Sequence, residues 1–276
     1  MLIGHQQLQK NLIRLADEEK LSHGYIFFGE AQVGKFTFAT HFINYLEYKE
    51  FNSPSKLLEE TLIIKKEGES IGIDEIRELK HFLYEKPIKS SYRIAVIDNA
   101  NLLTDQAQNA LLKITEEPPE HGLIIMIIEN PETLIGTIQS RFQKIYFPRV
   151  EKKLIIESLE SNYGANKENA VKIAEYSFGR PGRAIDLATN QELKNFMDKI
   201  KKHLKTRTGT KTLIEELTED KRKIDTALSN LIAELSKNTI KNYKYIKVII
   251  NRLKSMSEYN TNKRLQLESA LYQFNK

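Results

Sequence analysis

Short apolar runs alternate along the first half of the chain with stretches whose apolar residues recur every three or four positions. The runs at 25–28, 61–65, 92–98, 122–128 and 144–147 read as strands. Between them, Leu8, Leu12, Leu15 and Ala16 mark an amphipathic helix within 4–20, and 36–46 reads as a second. Ile73, Ile76, Leu79, Phe82 and Leu83 share the face of a third helix that ends near Pro87, with Asp74 and Glu75 in the first turn where the helix dipole favours acids. Ala107, Ala110, Leu111 and Ile114 line a fourth, which stops before Pro118 and Pro119. The polar segment 47–60, with its Ser-Pro-Ser, reads as a loop or short helix. Runs as continuously apolar as 92–98 and 122–128 are buried on both faces, which predicts a mostly parallel sheet with helices on each side.

Beyond Pro148 the alternation stops. Helices are predicted over 151–161 and 167–176, and a turn over 179–183 precedes a third. From Gln191 the pattern is helical almost throughout and free of proline, with one face at Leu228, Leu231, Ile232 and Leu235 and another at Ile246, Ile249, Ile250 and Leu253. The expected architecture is an α/β domain over 1–149, a small all-α domain over 150–189 and an all-α C-terminal domain over 190–276. No short-period repeat runs through it.

The first apolar run ends in Gly29-x-x-x-x-Gly34-Lys35 and leads into a helix, the strand–loop–helix setting of a phosphate-binding P-loop. Glycines let backbone N–H groups turn inward, the helix start adds partial positive charge, and the lysine reaches the outer phosphates. The next position should carry Ser or Thr to hold Mg²⁺, but it is Phe36. Thr37 comes one residue late, about 100° further round the helix, and cannot substitute. The run at 92–98 places Asp98 at the strand end, the edge at which a parallel sheet gathers its ligand. The following residue is Asn99, whose amide cannot take a proton from water as a carboxylate does. Two readings of the cradle stay open: weak binding of ATP or ADP, or a Lys35 that satisfies backbone carbonyls or a fixed anion.

At 276 residues with 40% hydrophobic and 29% charged residues, the composition is that of a soluble protein with ample core. There is no cysteine, so disulfides and thiolate zinc sites are excluded, and a reducing compartment fits. His5, His23, His41, His81, His121 and His203 show no ligand spacing. No apolar run approaches a membrane span and no secretory signal opens the chain, so a cytoplasmic protein is expected. The net charge of +5 is uneven: residues 191–276 hold 19 Lys/Arg against 10 Asp/Glu. Such a basic end suits either nucleic acid or well-solvated helices.

The order of motifs resembles the clamp-loader subunits of the AAA+ class, most closely the delta-prime branch of bacterial DNA polymerase III. The residues that carry it are His23-Gly24-Tyr25-Ile26-Phe27-Phe28-Gly29, Ile73-Asp74-Glu75-Ile76-Arg77-Glu78-Leu79, and Ala95-Val96-Ile97-Asp98-Asn99-Ala100. The last continues into Gln108-Asn109-Ala110-Leu111-Leu112-Lys113-Ile114-Thr115-Glu116-Glu117-Pro118-Pro119, and Thr137 to Gln143 closes the match. It is strong over 1–150, fair over the small helical domain and architectural beyond.

The resemblance implies a P-loop domain, a helical lid and a C-terminal collar that assembles with ATPase subunits and a delta subunit into a hetero-oligomeric ring, a heteropentamer. It implies loading of a sliding clamp onto primed DNA within the polymerase holoenzyme. ATP-hydrolysing relatives carry Glu where Asn99 stands, a polar sensor where Ile128 and Glu129 stand, and often Gly where Gln32 stands. Those departures imply a site that does not hydrolyse ATP and requires no cofactor. Ser140-Arg141-Phe142 matches the Ser-Arg-Cys motif, whose arginine reaches a neighbour's ATP, with Phe in place of Cys; a surface ion pair is the plainer role for Arg141. Arg183 matches the nucleotide-sensing lid arginine only loosely, and a helix-start salt bridge suits it equally. The zinc module common in the branch is not expected here. A self-sufficient AAA+ ATPase and a helical DNA-binding module with a decayed nucleotide domain are the competing readings.

Overall fold

The computed structural model describes residues 1–66, 68–191 and 239–258, together with 195, 232, 235, 236 and 266. The five apolar runs are strands: β1 (Gly24–Phe28), β2 (Thr61–Lys65), β3 (Arg93–Asp98), β4 (Gly122–Ile128) and β5 (Gln143–Tyr146). They form one sheet in the order β2-β3-β4-β1-β5, and every pairing is parallel. All residues of β3 and β4 are buried, whereas β2 and β5 at the edges expose polar positions. That difference explains why the central runs are the more apolar ones.

Helices cover both faces. On one lie α1 (Gln6–Asp17) and α2 (Lys35–Tyr48), whose Leu12, Ala16, Phe38, Phe42 and Ile43 meet Phe27, Val96, Ile125 and Ile127. The rings of Phe27, Phe38 and Phe147 approach to 5.1–5.9 Å between centroids, and each buried ring contributes about 1.5–3 kcal/mol. On the other face are α3 (Ile73–Tyr84), α4 (Asp105–Glu116) and α5 (Gly136–Arg141). Their Ile76, Leu79, Leu111, Ile114 and Ile138 pack with Ala95, Ile97, Met126 and Ile128. Thr104 caps α4 by accepting the Ala107 N–H at 3.2 Å, and Glu75 reaches back to the Gly72 N–H at 2.9 Å at the start of α3. The mostly parallel α/β architecture expected from the sequence is the one observed.

Several boundaries move. Helix α2 runs on to Tyr48, so the polar segment is a loop only beyond it. Arg141, expected on the approach to a strand, is instead the last residue of α5. The stretch 179–183, expected as a turn, is entered by helix α8 (Pro181–Thr189), because proline's fixed φ suits a first helical turn.

The chain divides into two compact units, Met1–Ile155 with Gly179–Gly182, and Ile156–Phe178 with Arg183–Lys276. Helix α6 (Lys152–Tyr163) enters the second unit, followed by α7 (Lys167–Ser177). Asn166 caps α7 by accepting the Asn169 N–H at 2.9 Å, and Tyr176 and Leu187 pack together with Ile173. In α9 (Thr239–Glu258), Ile249 is buried, Ile246 partly so, and Ile250 remains half exposed. Leu228, Leu231, the Leu253 side chain and most of the predicted 190–276 domain lie outside the described residues. Among the described residues no helix is long and apolar enough to cross a membrane.

Candidate functional site

Parallel strands bring their C-terminal ends to one edge, where β1 ends at Phe28, β2 at Lys65, β3 at Asp98 and β4 at Ile128. The loop leaves β1 through Gly29, with φ +139°. A Cβ there would meet the Phe147 carbonyl oxygen at 2.5 Å, so no side chain fits. Gln32 takes φ 63°, the left-handed conformation that glycine adopts without strain. Gly34 precedes α2, which has no side-chain cap, and its first-turn N–H groups point out of the helix start.

Lys35 is buried and its ammonium donates to the carbonyls of Gly29 and Glu30 at 2.5 and 2.6 Å. Burial pushes its pKa down, while the carboxylates of Glu129, Asp98 and Glu30 oppose that shift. The lysine therefore faces the site's own acids and is tied to the loop's own backbone. The loop is held from outside as well: Arg149 Nη2 meets Glu30 Oε1 at 2.7 Å, Gly182 N–H donates to the Gln32 carbonyl at 2.9 Å, and His5 Nε2 lies 2.8 Å from the Val33 carbonyl oxygen.

Phe36 packs against the core under α1 and α2, and Thr37 follows it in the first turn of α2. Asp98 is nearly buried, which raises its pKa, and the charges of Lys65 and Lys35 and the Asn99 N–H at 3.1 Å pull it back. Lys65 stands directly across the β2–β3 pair from Asp98, with Nζ 3.8 Å from its carboxylate and 5.1 Å from the centre of the Phe36 ring. Mg²⁺ needs a tight octahedron of oxygens. A carboxylate that already faces an ammonium at 3.8 Å, beside a phenyl ring where a hydroxyl would serve, does not fit that ion.

Asn99 leaves β3 at φ 58°, which an asparagine tolerates, and its side chain is exposed. Ile128 is buried in the core beneath α3 and α4, Glu129 is exposed, and the Asn130 side chain is used locally to accept the Glu132 N–H at 3.0 Å.

Arg141 lies apart from this edge. Helices in a parallel sheet return to the strands' starting edge, and α4 and α5 both end there. Phe142 confirms the placement, for its ring fills the space beside Gly24, the first residue of β1, where a Cβ would lie 2.4 Å away. The guanidinium is one-third exposed, with Nη1 donating to the Thr137 carbonyl at 3.0 Å and Nη2 to Glu116 Oε1 at 3.2 Å. Arg183 is buried in the first turn of α8, its guanidinium 5.7 Å from the centre of the Phe178 ring. Gly29, Gly34, Lys35, Phe36, Thr37 and Asp98 thus gather at one edge, while Arg141 does not join them. Sequence reading passed over Lys65, Arg149 and Gly182, since only strand register and loop packing bring them to the site.

Comparison with known proteins agrees with this fold. The family model described as DNA polymerase III, delta subunit matches residues 4–151, more than half of the chain. The gamma/tau subunit of DNA polymerase III from Mycoplasma genitalium is 29% identical over 216 residues, covering 71% of this chain and 35% of that protein. The delta' subunit from Escherichia coli is 30% identical over 127 residues, covering 46% of this chain and 38% of its own length. The chain therefore spans about a third of the length of the curated relatives it matches. Among solved structures, a gamma subunit-related protein from Thermotoga maritima superposes with TM-score 0.58 at 22% identity, covering 96% of this chain and 97% of the other. The RuvB Holliday junction branch migration motor of the same organism gives 0.52 at 17% identity over 88% of this chain and 78% of its own, a likeness of fold alone. With motif order, sheet topology and family match in agreement, the chain belongs to the DNA polymerase III delta-subunit family of clamp-loader proteins.

Proposed function

We propose that this chain is a non-hydrolysing clamp-loader subunit of the delta-prime type, which helps place a sliding clamp on primed DNA and completes a neighbouring ATPase site with Arg141. The observation that carries the reading is the position of Arg141 at the sheet edge opposite its own P-loop. The length of β1, about 13 Å at a strand's rise, separates the two. A guanidinium there is too far to serve its own phosphate site, yet it is one-third exposed on a helix end, where another subunit can present one. Its planar, permanently charged fork suits bidentate phosphate contact.

The chain's own cradle supports the same reading from the other side. Phe36 replaces the metal-holding hydroxyl, Asn99 the water-activating carboxylate, and Ile128 the polar sensor. ATP or ADP is then an optional ligand rather than a required cofactor. The partners are ATPase subunits and a delta subunit in a hetero-oligomeric ring in the cytoplasm, with 150–189 as lid and 190–276 as collar.

The purified chain should turn over no ATP. In the reconstituted loader, Arg141→Ala should lower DNA-stimulated hydrolysis at the completed site by about 10³-fold or more without dissociating the complex on gel filtration. Arg141→Lys should fail to restore it. Hydrolysis at the wild-type rate by the Arg141→Ala loader would end the trans-acting role. The second reading, a self-sufficient AAA+ ATPase, draws on the retained Gly29, Gly34 and Lys35, and turnover by the isolated chain that vanishes in Lys35→Ala would favour it.

A further inference from the structure

We infer that Lys65 is a built-in counter-ion standing where a P-loop protein holds its metal, so that a nucleoside di- or triphosphate bound here is held without Mg²⁺. The inference rests on the reading of this cradle as non-hydrolysing and adds what replaces the metal. Three observations meet at one point. The β2–β3 register sets Lys65 opposite Asp98, and its Nζ lies 3.8 Å from that carboxylate. The same Nζ sits 5.1 Å from the centre of the Phe36 ring, the residue that displaced the metal-holding hydroxyl. The adjoining Lys66 pairs with Glu75 instead, so the two lysines are committed to different acids.

The substitution at 36 and the lysine at 65 therefore form a unit. Phe36 removes an oxygen ligand and offers a π face that attracts an ammonium. Lys65 supplies one positive charge to Asp98, and a divalent ion brought to the same carboxylate would meet a like charge at contact range. Among the described residues, other charges around the cradle include Lys35, which faces Asp98, Glu129 and Glu30, and the pair Glu30–Arg149. Lys35, Lys65 and the start of α2 are positive features that a phosphate chain would meet there.

Calorimetric titration of ATP in MgCl₂ and in EDTA tests this on the full chain. Phe36→Thr alone restores the hydroxyl but leaves the ammonium, and its affinity should be the same in both buffers. Phe36→Thr with Lys65→Gln should bind ATP at least ~10-fold more tightly with Mg²⁺ than with EDTA. Phe36→Thr with Lys65→Arg keeps the charge and should behave as Phe36→Thr does, which separates charge from disturbed folding. Thermal melts of all three variants check that the folded state persists. Metal dependence in Phe36→Thr alone would overturn the role of Lys65, as would its failure to emerge in the Gln double variant. Either failure leaves the trans-acting arginine untouched, since that rests on hydrolysis by the assembled loader.

Discussion

Glu60 and Asp98 are both acids in a mostly buried setting, yet the fold uses them differently. Glu60, only 1% exposed, accepts the N–H groups of Ile88 and Lys89 at 2.6 and 2.7 Å and faces Arg93 Nη1 at 2.9 Å. Arg93 in turn holds Glu85 at 2.8 Å and lies over the Phe82 ring at 4.7 Å. This cluster fastens the loop after α3 to the start of β2. Removing Glu60 takes away the acceptor of two N–H groups and one of the two carboxylates that face Arg93, so Glu60→Ala should cost about 1.5–3 kcal/mol in urea unfolding. Glu60→Gln, which keeps an acceptor, should cost less. A loss below about 1 kcal/mol for the alanine would place the pair with surface ion pairs. At the candidate site, Phe36 and Asn99 were legible as missing chemistry, because the identity of one side chain decides whether it can bind a metal or take up a proton. Lys65 was not, since nothing in an alternating edge strand tells which carboxylate it will face.

The helices and strands were legible where periodicity and punctuation agree. Proline ended α4, and acids marked the first turn of α3. Less legible was the joint between α5, β5 and β1, where Phe142 replaces the cysteine of the related motif. Its ring occupies the space a side chain on Gly24 would need and meets His23 edge-on at 6.1 Å. Gly24→Ala should therefore destabilise the protein by about 1–3 kcal/mol through overpacking. In a Phe142→Ala background the same change should cost little. Denaturation of the four proteins gives the coupling, expected at about 1 kcal/mol or more; strictly additive losses would show that the two residues do not share that space. The joint also seats the residue beside Arg141, so the packing that distinguishes this chain from the motif underlies its outlying guanidinium.

For the molecule as a whole, pH acts through histidines. Burial lowers the pKa of His5, His23 and His41 from 6.5 in the folded state. The unfolded chain then takes up protons that the folded one refuses, and stability falls as pH drops through about 6.5. The urea midpoint should be lower at about pH 5.5 than at about pH 7.5, and replacing the three histidines by asparagine should flatten the difference. A midpoint that rises on acidification would contradict the burial of these rings. The lowered pKa values of Asp17, Glu75 and Glu168 act in the same direction at more acidic pH, where their partners Tyr45, Lys66 and Lys172 lose them.

Taken by itself, the sequence determined the five strands and most of the helices between them, the P-loop motif and the positions at which Phe36, Asn99 and Ile128 stand in place of the residues of related proteins. Those properties are local: hydrophobic period, turn residues and the functional group at a given place in a motif. Only the tertiary structure decided that Lys65 neutralises Asp98, that Lys35 is drawn onto the carbonyls of its own loop, and that Arg141 sits at the far edge of the sheet paired with Glu116. Each of these joins residues that strand order and register bring together, and a one-dimensional pattern does not specify which edge-strand residue lies across from which acid.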